Sequence, residues 1–353
     1  MTRRDNYLRA VRFEKPDIIP ISLNINQSCW GHYPKAFLWE MIETHPILFD
    51  WFPGMPEEEK RQIENPIFRK NARKDEPYTD SWGCVWETSM DGIVGVVTHH
   101  PLKNLDSLAE YKMPDPTLTD GLASVNWEDK KIMFANLAKM GGLRMAGVPH
   151  GHTFLRLIDL LGYENLIFSM MDEDPRLDKL VGMIHEFNLE ITKRYLECEL
   201  DVVCFPEDLG MQQGPMLSPD NFRKYIKPSY QRLFAEAKKK DVHIYVHSDG
   251  DLRTLIDDLI DVDTDILNLQ DLVNGVDWIR DNLKGRVCID LDIDRQQFCQ
   301  FGTPAEIDGH IKNIVQKLGS KDGGLMMLFG LYPELPLENM KAVMDAMERY
   351  AVV

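Results

Sequence analysis

Cysteine is scarce in this chain and never paired at short range. Six cysteines (Cys29, Cys84, Cys198, Cys204, Cys288 and Cys299) are spread over 353 residues, with no C-x-x-C among them. That spacing excludes a disulfide framework or a zinc ribbon. It assigns most of the thiols to the core as small apolar residues and makes a reducing cytoplasm the expected compartment. Long apolar runs are also missing. The longest are strand-length, short of the roughly 20 residues a spanning helix needs, so no membrane partner is expected. The opening "MTRRDNYLRAVRFEKPD" has two early arginines with no apolar segment behind them, which does not read as a signal peptide. A basic excess is absent too. With 57 acidic and 40 basic residues the net charge is −17, which argues against nucleic acid or an anionic surface as the main partner.

What is present is a rhythm. From Leu143 onward, short apolar runs alternate with long amphipathic stretches. The runs are "LRMAGVP" (143–149), "DVVCFPEDLG" (201–210), "HIYVHSDG" (243–250), "DILNLQD" (265–271), "RVCIDLDID" (286–294) and "LMMLFG" (325–330). Segments of this kind read as buried parallel strands. Between them, Ser218-Pro219 and the capping box Thr303-Pro304-Ala305-Glu306 announce helix starts. An earlier run, "DIIPISLN" (17–24), adds an N-terminal strand. Repeated βα units without a G-x-G-x-x-G or Walker loop favour an α/β fold of the (β/α)8 TIM-barrel type over an open nucleotide-binding sheet. Residues 25–142 break the rhythm with Pro, Trp and charge. They read as an N-terminal capping insertion bearing a β-hairpin near Met90-Asp91-Gly92, within one barrel domain over 1–353.

In a parallel barrel the chemistry sits where strands end. The polar residues there are Asn24 and Asn26, His150 and His152, Glu207 and Asp208, His247 and Asp249, Asn268 and Gln270, and Asp290, Asp292 and Asp294. The stretch "YVHSDGD" concentrates the question. His247 and Asp249 could be metal ligands completed by Glu207, or an acid–base pair. They could also be a strand end followed by an Asp-Gly turn. We take His247, Asp249 and Glu207 as candidate catalytic and metal-binding residues. Asn24, His150, His152, Gln270, Asp292 and Trp30 are candidate substrate contacts, with Trp82 and Trp86 as further candidates for an apolar wall. His99 and His100 are adjacent, face opposite ways, and read as hairpin surface.

Six stretches in order carry a family resemblance: "DSWGCVWE", "PLKNLDSLAEYKMPDP", "EDLGMQQGPMLSPDNFRKYIKPSYQRLF", "HSDGDLRTLIDDLIDVDTDILNLQ", "DIDRQQFCQFGTPAEI" and "PLENMKAVMDA". Together they resemble the uroporphyrinogen decarboxylase-like superfamily, and within it the corrinoid-dependent methyltransferase branch. The resemblance implies a (β/α)8 barrel with a deep pocket at the carboxyl ends of its strands. It also implies a methyl group passed from a small, O-methylated substrate to a corrinoid (cobalamin) on a separate corrinoid-binding protein, with zinc as the candidate metal and a homodimer as the assembly. Two departures matter. The arginine-bearing R-Q-A-G-R-Y loop of true decarboxylases is replaced by "NINQSCWGHYP". The His-x-Cys pair of thiol-activating members is His247-Ser248-Asp249 here, and Leu331 falls near the position of their later cysteine. The alternatives are a decarboxylase or lyase working by acid–base chemistry, and a non-catalytic ligand-binding barrel.

Overall fold

The computed structural model describes residues 2–352. Seven strands form one parallel sheet: β1 (Ile21–Ile25), β2 (Met145–Gly147), β3 (Val202–Pro206), β4 (His243–His247), β5 (Ile266–Gln270), β6 (Cys288–Asp292) and β7 (Leu325–Leu331). Their order is β1-β7-β6-β5-β4-β3-β2, so every neighbour after the first pair is also a chain neighbour. This is the curled α/β sheet of a TIM-type fold. All seven runs read from the sequence become strands. Among the described residues no eighth parallel strand joins β1 to β2, and the insertion lies in the sequence between them.

Alternation along each strand explains what faces inward. On β6, Cys288 packs at the amino end with Val202, Tyr245, Ile266 and Met326, against Ala10 and Val11 of the helix Arg3–Arg12. Two residues on, Asp290 accepts a 2.9 Å hydrogen bond from the Tyr245 hydroxyl. Two further on, Asp292 lines the cavity at the carboxyl end. On β5 the same period sends Leu267 and Leu269 into the main apolar core, while Asn268 and Gln270 bond to residues at the strand ends.

The helix starts follow the sequence signals. The Ser218 side chain accepts from the Asn221 amide, and Thr303 and Glu306 form a full capping box. Between Phe222 and Ile226 the backbone widens to a π-turn just before Pro228, whose missing amide hydrogen cannot complete the α-helical ladder. In the insertion, Val85–Glu87 pairs antiparallel with Val96–His99 and with Tyr78–Thr79, so the expected hairpin gains a third strand. All six cysteines are unpaired. No helix among the described residues is long and apolar enough to cross a membrane.

Candidate active site

A cavity of about 1430 Å³ opens at the carboxyl ends of the strands. Its floor comes from the barrel: Asn24, His150, Asp208, His247, Asp249, Asp292, Arg295 and Gly330. The insertion supplies the opposite wall, with Tyr78, Trp86 and Val94 to Val97.

His247 ends β4 and sits opposite Asn268 in the register with β5. Its Nδ1 bonds the Asn268 Oδ1, while the Asn268 amide nitrogen donates to the Asp290 carbonyl at 2.6 Å. A carbonyl only accepts, so the Asn268 amide cannot turn round, and Nδ1 of His247 must be the proton donor. Nε2 is left facing Asp208 at 3.6 Å and Asp249 at 4.0 Å. Burial alone would lower the His247 pKa. The nearby Asp208 carboxylate, the charge of Asp249 and the bond to Asn268 outweigh it and raise the pKa to about 9.

His150 reaches the same carboxylate, its Nε2 lying 3.2 Å from Asp208 Oδ1. Its ring centre is 5.6 Å from that of His247. Burial opposes ionisation of Asp208, but the hydrogen bond from His150 and the nearby His247 imidazole overcome it and hold this carboxyl well below the usual range. The ligand atoms of His150, Asp208 and His247 all lie within 4.8 Å of one another. Two ligands about 2.1 Å from a tetrahedral zinc ion stand about 3.4 Å apart, close to the 3.2 Å and 3.6 Å separations found here. Asp249 Oδ1 is buried beside this set with no partner among the described residues. The donor set is therefore of a kind and spacing that fits a divalent ion.

Glu207 does not belong to this set. Its oxygens accept from the backbone amides of Thr153, Phe154 and Leu155 at 2.8–3.0 Å, capping the helix Phe154–Leu161. The side chain has no solvent exposure, and burial raises its pKa to about 7 against those three bonds. Successive residues at a strand end point opposite ways. So of the pair Glu207-Asp208, only the second faces the cavity, and the carboxylate that meets His150 and His247 there is Asp208, not Glu207 as expected from the sequence, with Asp249 beside it.

His152 is likewise turned inward, since Gly151 adopts φ +74° between the two histidines. It packs between Phe205 and Tyr230, and burial lowers its pKa to about 3. It is a core residue, not a substrate contact. Trp30 is also core, 4% exposed and packed on Trp39, and Trp82 is buried under the Arg156 guanidinium. Of the three tryptophans considered, only Trp86 lines the cavity, held by a 2.9 Å bond to Asp80. Gln270 lies outside this cavity and accepts from the Gly250 amide at 3.0 Å, which secures the loop carrying Asp249. Asn24 and Asp292 do line it, and burial raises the Asp292 pKa to about 7. His100, read as hairpin surface, faces the cavity instead, its Nδ1 donating to the Asp159 carbonyl at 2.8 Å.

Sequence reasoning passed over Arg295, which bridges Asp249 and Asp292 at 3.2 Å and 2.8 Å. Its position three residues after Asp292 was the available signal. It also passed over four cations on the cavity wall, Arg69, Lys70, Arg73 and Lys130. Nothing in a line of sequence marks these as converging.

The uroporphyrinogen decarboxylase (URO-D) family matches residues 145–350, more than half of the chain. Uroporphyrinogen decarboxylases from two strains of Thermus thermophilus are each 27% identical over 136 residues, covering 38% of this chain and 38% of theirs. The chain thus spans well under half the length of these curated relatives. A methyltransferase from Methanosarcina mazei superposes with a TM-score of 0.67 over 99% of both chains at 19% identity, a likeness of fold. The family match covers β2 to β7 and every polar strand end of the cavity floor except Asn24, and on that ground the chain belongs to the uroporphyrinogen decarboxylase family.

Proposed function

We propose that this protein is a methyltransferase. It moves a methyl group from a small O-methylated compound to a corrinoid carried on a separate protein, in a reducing cytoplasm. The observation that carries this reading is the convergence of His150, Asp208 and His247 at the floor of a cavity of about 1430 Å³. Such a volume exceeds the roughly 300–1,000 Å³ of an ordinary small-molecule site, which supports a methyl acceptor entering the same space as the substrate. The fold shared with a methyltransferase over the full length is consistent with it.

When the methyl–oxygen bond breaks, its electron pair stays on oxygen, and that oxygen needs a proton or a cation. Nε2 of His247 faces the cavity and can give the proton. A zinc ion held by His150, Asp208 and His247 would supply Lewis-acid stabilisation at the same oxygen. Asn268 keeps the His247 ring in one orientation for either task. Trp86, Tyr78 and Tyr332 give the cavity aromatic walls suited to a flat, apolar substrate.

The first test is elemental mass spectrometry of the purified protein, with methyl ethers assayed in the presence of a corrinoid protein. Near-stoichiometric zinc, lost together with activity in His247→Ala and Asp208→Asn, is the expected result. Full activity in a folded His247→Ala protein would overturn the site. A decarboxylase reading is favoured by the family match and by the four cations on the wall, which could hold carboxylates. It predicts loss of carbon dioxide from an acidic substrate with no corrinoid protein present.

A further inference from the structure

We propose that Arg295 is a positioning residue. It turns Asp249 toward the His150–Asp208–His247 cluster, so that Asp249 becomes the fourth donor to a divalent cation. This inference rests on the reading of that cluster as a metal centre and adds a residue and a role to it.

The placement of Arg295 begins in the turn after β6. The Asp294 carboxylate accepts from the backbone amides of Gln296, Gln297 and Phe298 at 3.1, 2.9 and 2.6 Å, which closes the turn tightly. From there the guanidinium reaches back across the mouth. Nη1 meets Asp292 Oδ2 at 2.8 Å and Nη2 meets Asp249 Oδ2 at 3.2 Å. Its underside lies 5.5 Å from the Tyr332 ring centre. Gly330 leaves the room, because a Cβ there would stand 3.3 Å from Nη1 and 3.2 Å from the Tyr332 ring. The guanidinium is thus held on three sides before it touches Asp249.

Asp249 is then held through one oxygen and free through the other. Oδ2 belongs to Arg295. Oδ1 is buried without a partner among the described residues and faces His247 Nε2 at 4.0 Å. The Asp249 amide donates to Asp208 Oδ1 at 3.2 Å, so backbone and side chain both bring this residue to the cluster. Two neutral imidazoles and two carboxylates carry a charge of −2, which balances a dication. Asp292 holds the Arg295 guanidinium at 2.8 Å, which offsets part of its repulsion of that dication. An arginine that acted only through its charge would weaken cation binding. One that positions a ligand must strengthen it.

The opposite signs make the test. Zinc chloride is titrated calorimetrically into the intact metal-stripped protein and into Arg295→Met, Asp249→Asn and the double variant. Arg295→Met and Asp249→Asn should each weaken zinc binding roughly 10- to 100-fold, and the double variant should be no weaker than Asp249→Asn alone. Gly330→Ala, which crowds Arg295 without changing any charge, should weaken zinc in the same direction and serves if Arg295→Met fails to fold. Zinc bound as tightly or more tightly by folded Arg295→Met, or additive losses in the double variant, overturns the assignment. A wild-type protein that binds no zinc removes the metal centre and this role together. Tight zinc in wild type and Arg295→Met alike removes only the role.

Discussion

Asn268 lies directly opposite His247 across the β4–β5 ladder, and its side-chain oxygen accepts a hydrogen bond from Nδ1 of that ring. The amide is itself locked by donation to the Asp290 carbonyl, so one asparagine sets which histidine nitrogen faces the cavity. Replacing it with alanine frees the ring. If the proposed function holds, Asn268→Ala should lower zinc affinity and methyl-transfer rate roughly 10- to 100-fold. Parallel calorimetry and turnover measurements check this, and an unchanged value for both would show that His247 needs no such support.

Glu207 and Asp208 are neighbours with opposite duties, and their variants should fail in opposite ways. Glu207→Ala strips acceptors from three buried amides, at a cost of about 1–3 kcal/mol for such unmet donors. On the proposed function, Asp208→Asn should keep its urea midpoint near that of wild type while losing zinc and activity. Urea unfolding beside turnover separates the two. A stable Glu207→Ala protein without activity would return Glu207 to the chemistry.

Gly250 tests the turn that follows β4. It adopts φ +86°, and a Cβ there would stand 2.1 Å from the Gly210 carbonyl carbon. Gly210 is as tightly placed, since its own Cβ would come within 2.6 Å of the Asp251 amide. Alanine at 250 therefore adds backbone strain to a backbone collision and should cost at least about 2 kcal/mol. Thermal unfolding of Gly250→Ala gives the answer. A melting temperature equal to that of wild type would mean the two loops part easily.

At the other end of the barrel, Asp201 is bound by Arg4 at 2.8 Å and Arg144 at 2.7 Å, tying the N-terminal helix to the strand starts. Burial alone would raise its pKa, but these bonds outweigh it and hold the carboxyl well below the usual range. The folded value lies under the unfolded one of about 3.9. The stabilisation is therefore complete above that pH and disappears as the pH falls through the folded value. Wild type should exceed Asp201→Asn in stability at pH 6, and the gap should narrow steadily below about pH 4. Urea midpoints across that range measure it, and a constant gap would contradict the linkage.

Much of the fold was legible because its signals are local. Each of the seven strands is a short apolar run, and period-2 alternation places Cys288, Asp290 and Asp292 on one face whatever surrounds them. Ser218 and Thr303 cap helices through atoms three residues away, which a line of sequence can display. His247, Asp249, Asn24 and Asp292 could be expected at the cavity because they end such runs or closely follow them.

The remaining assignments needed the tertiary structure. Whether Glu207 or Asp208 faces the cavity depends on where β3 stops and on a helix whose cap, Thr153, lies 54 residues earlier in the chain. His150 joins the cluster and His152 leaves it because Gly151 turns the chain between them, placing His152 against Phe205 and Tyr230. Arg69, Lys70, Arg73 and Lys130 reach one wall only after the insertion folds over the barrel. The sequence by itself determined which residue types end the strands, because backbone periodicity is a property of neighbours. Which of those side chains meet was decided by packing, because convergence across a barrel depends on contacts between residues far apart in the chain.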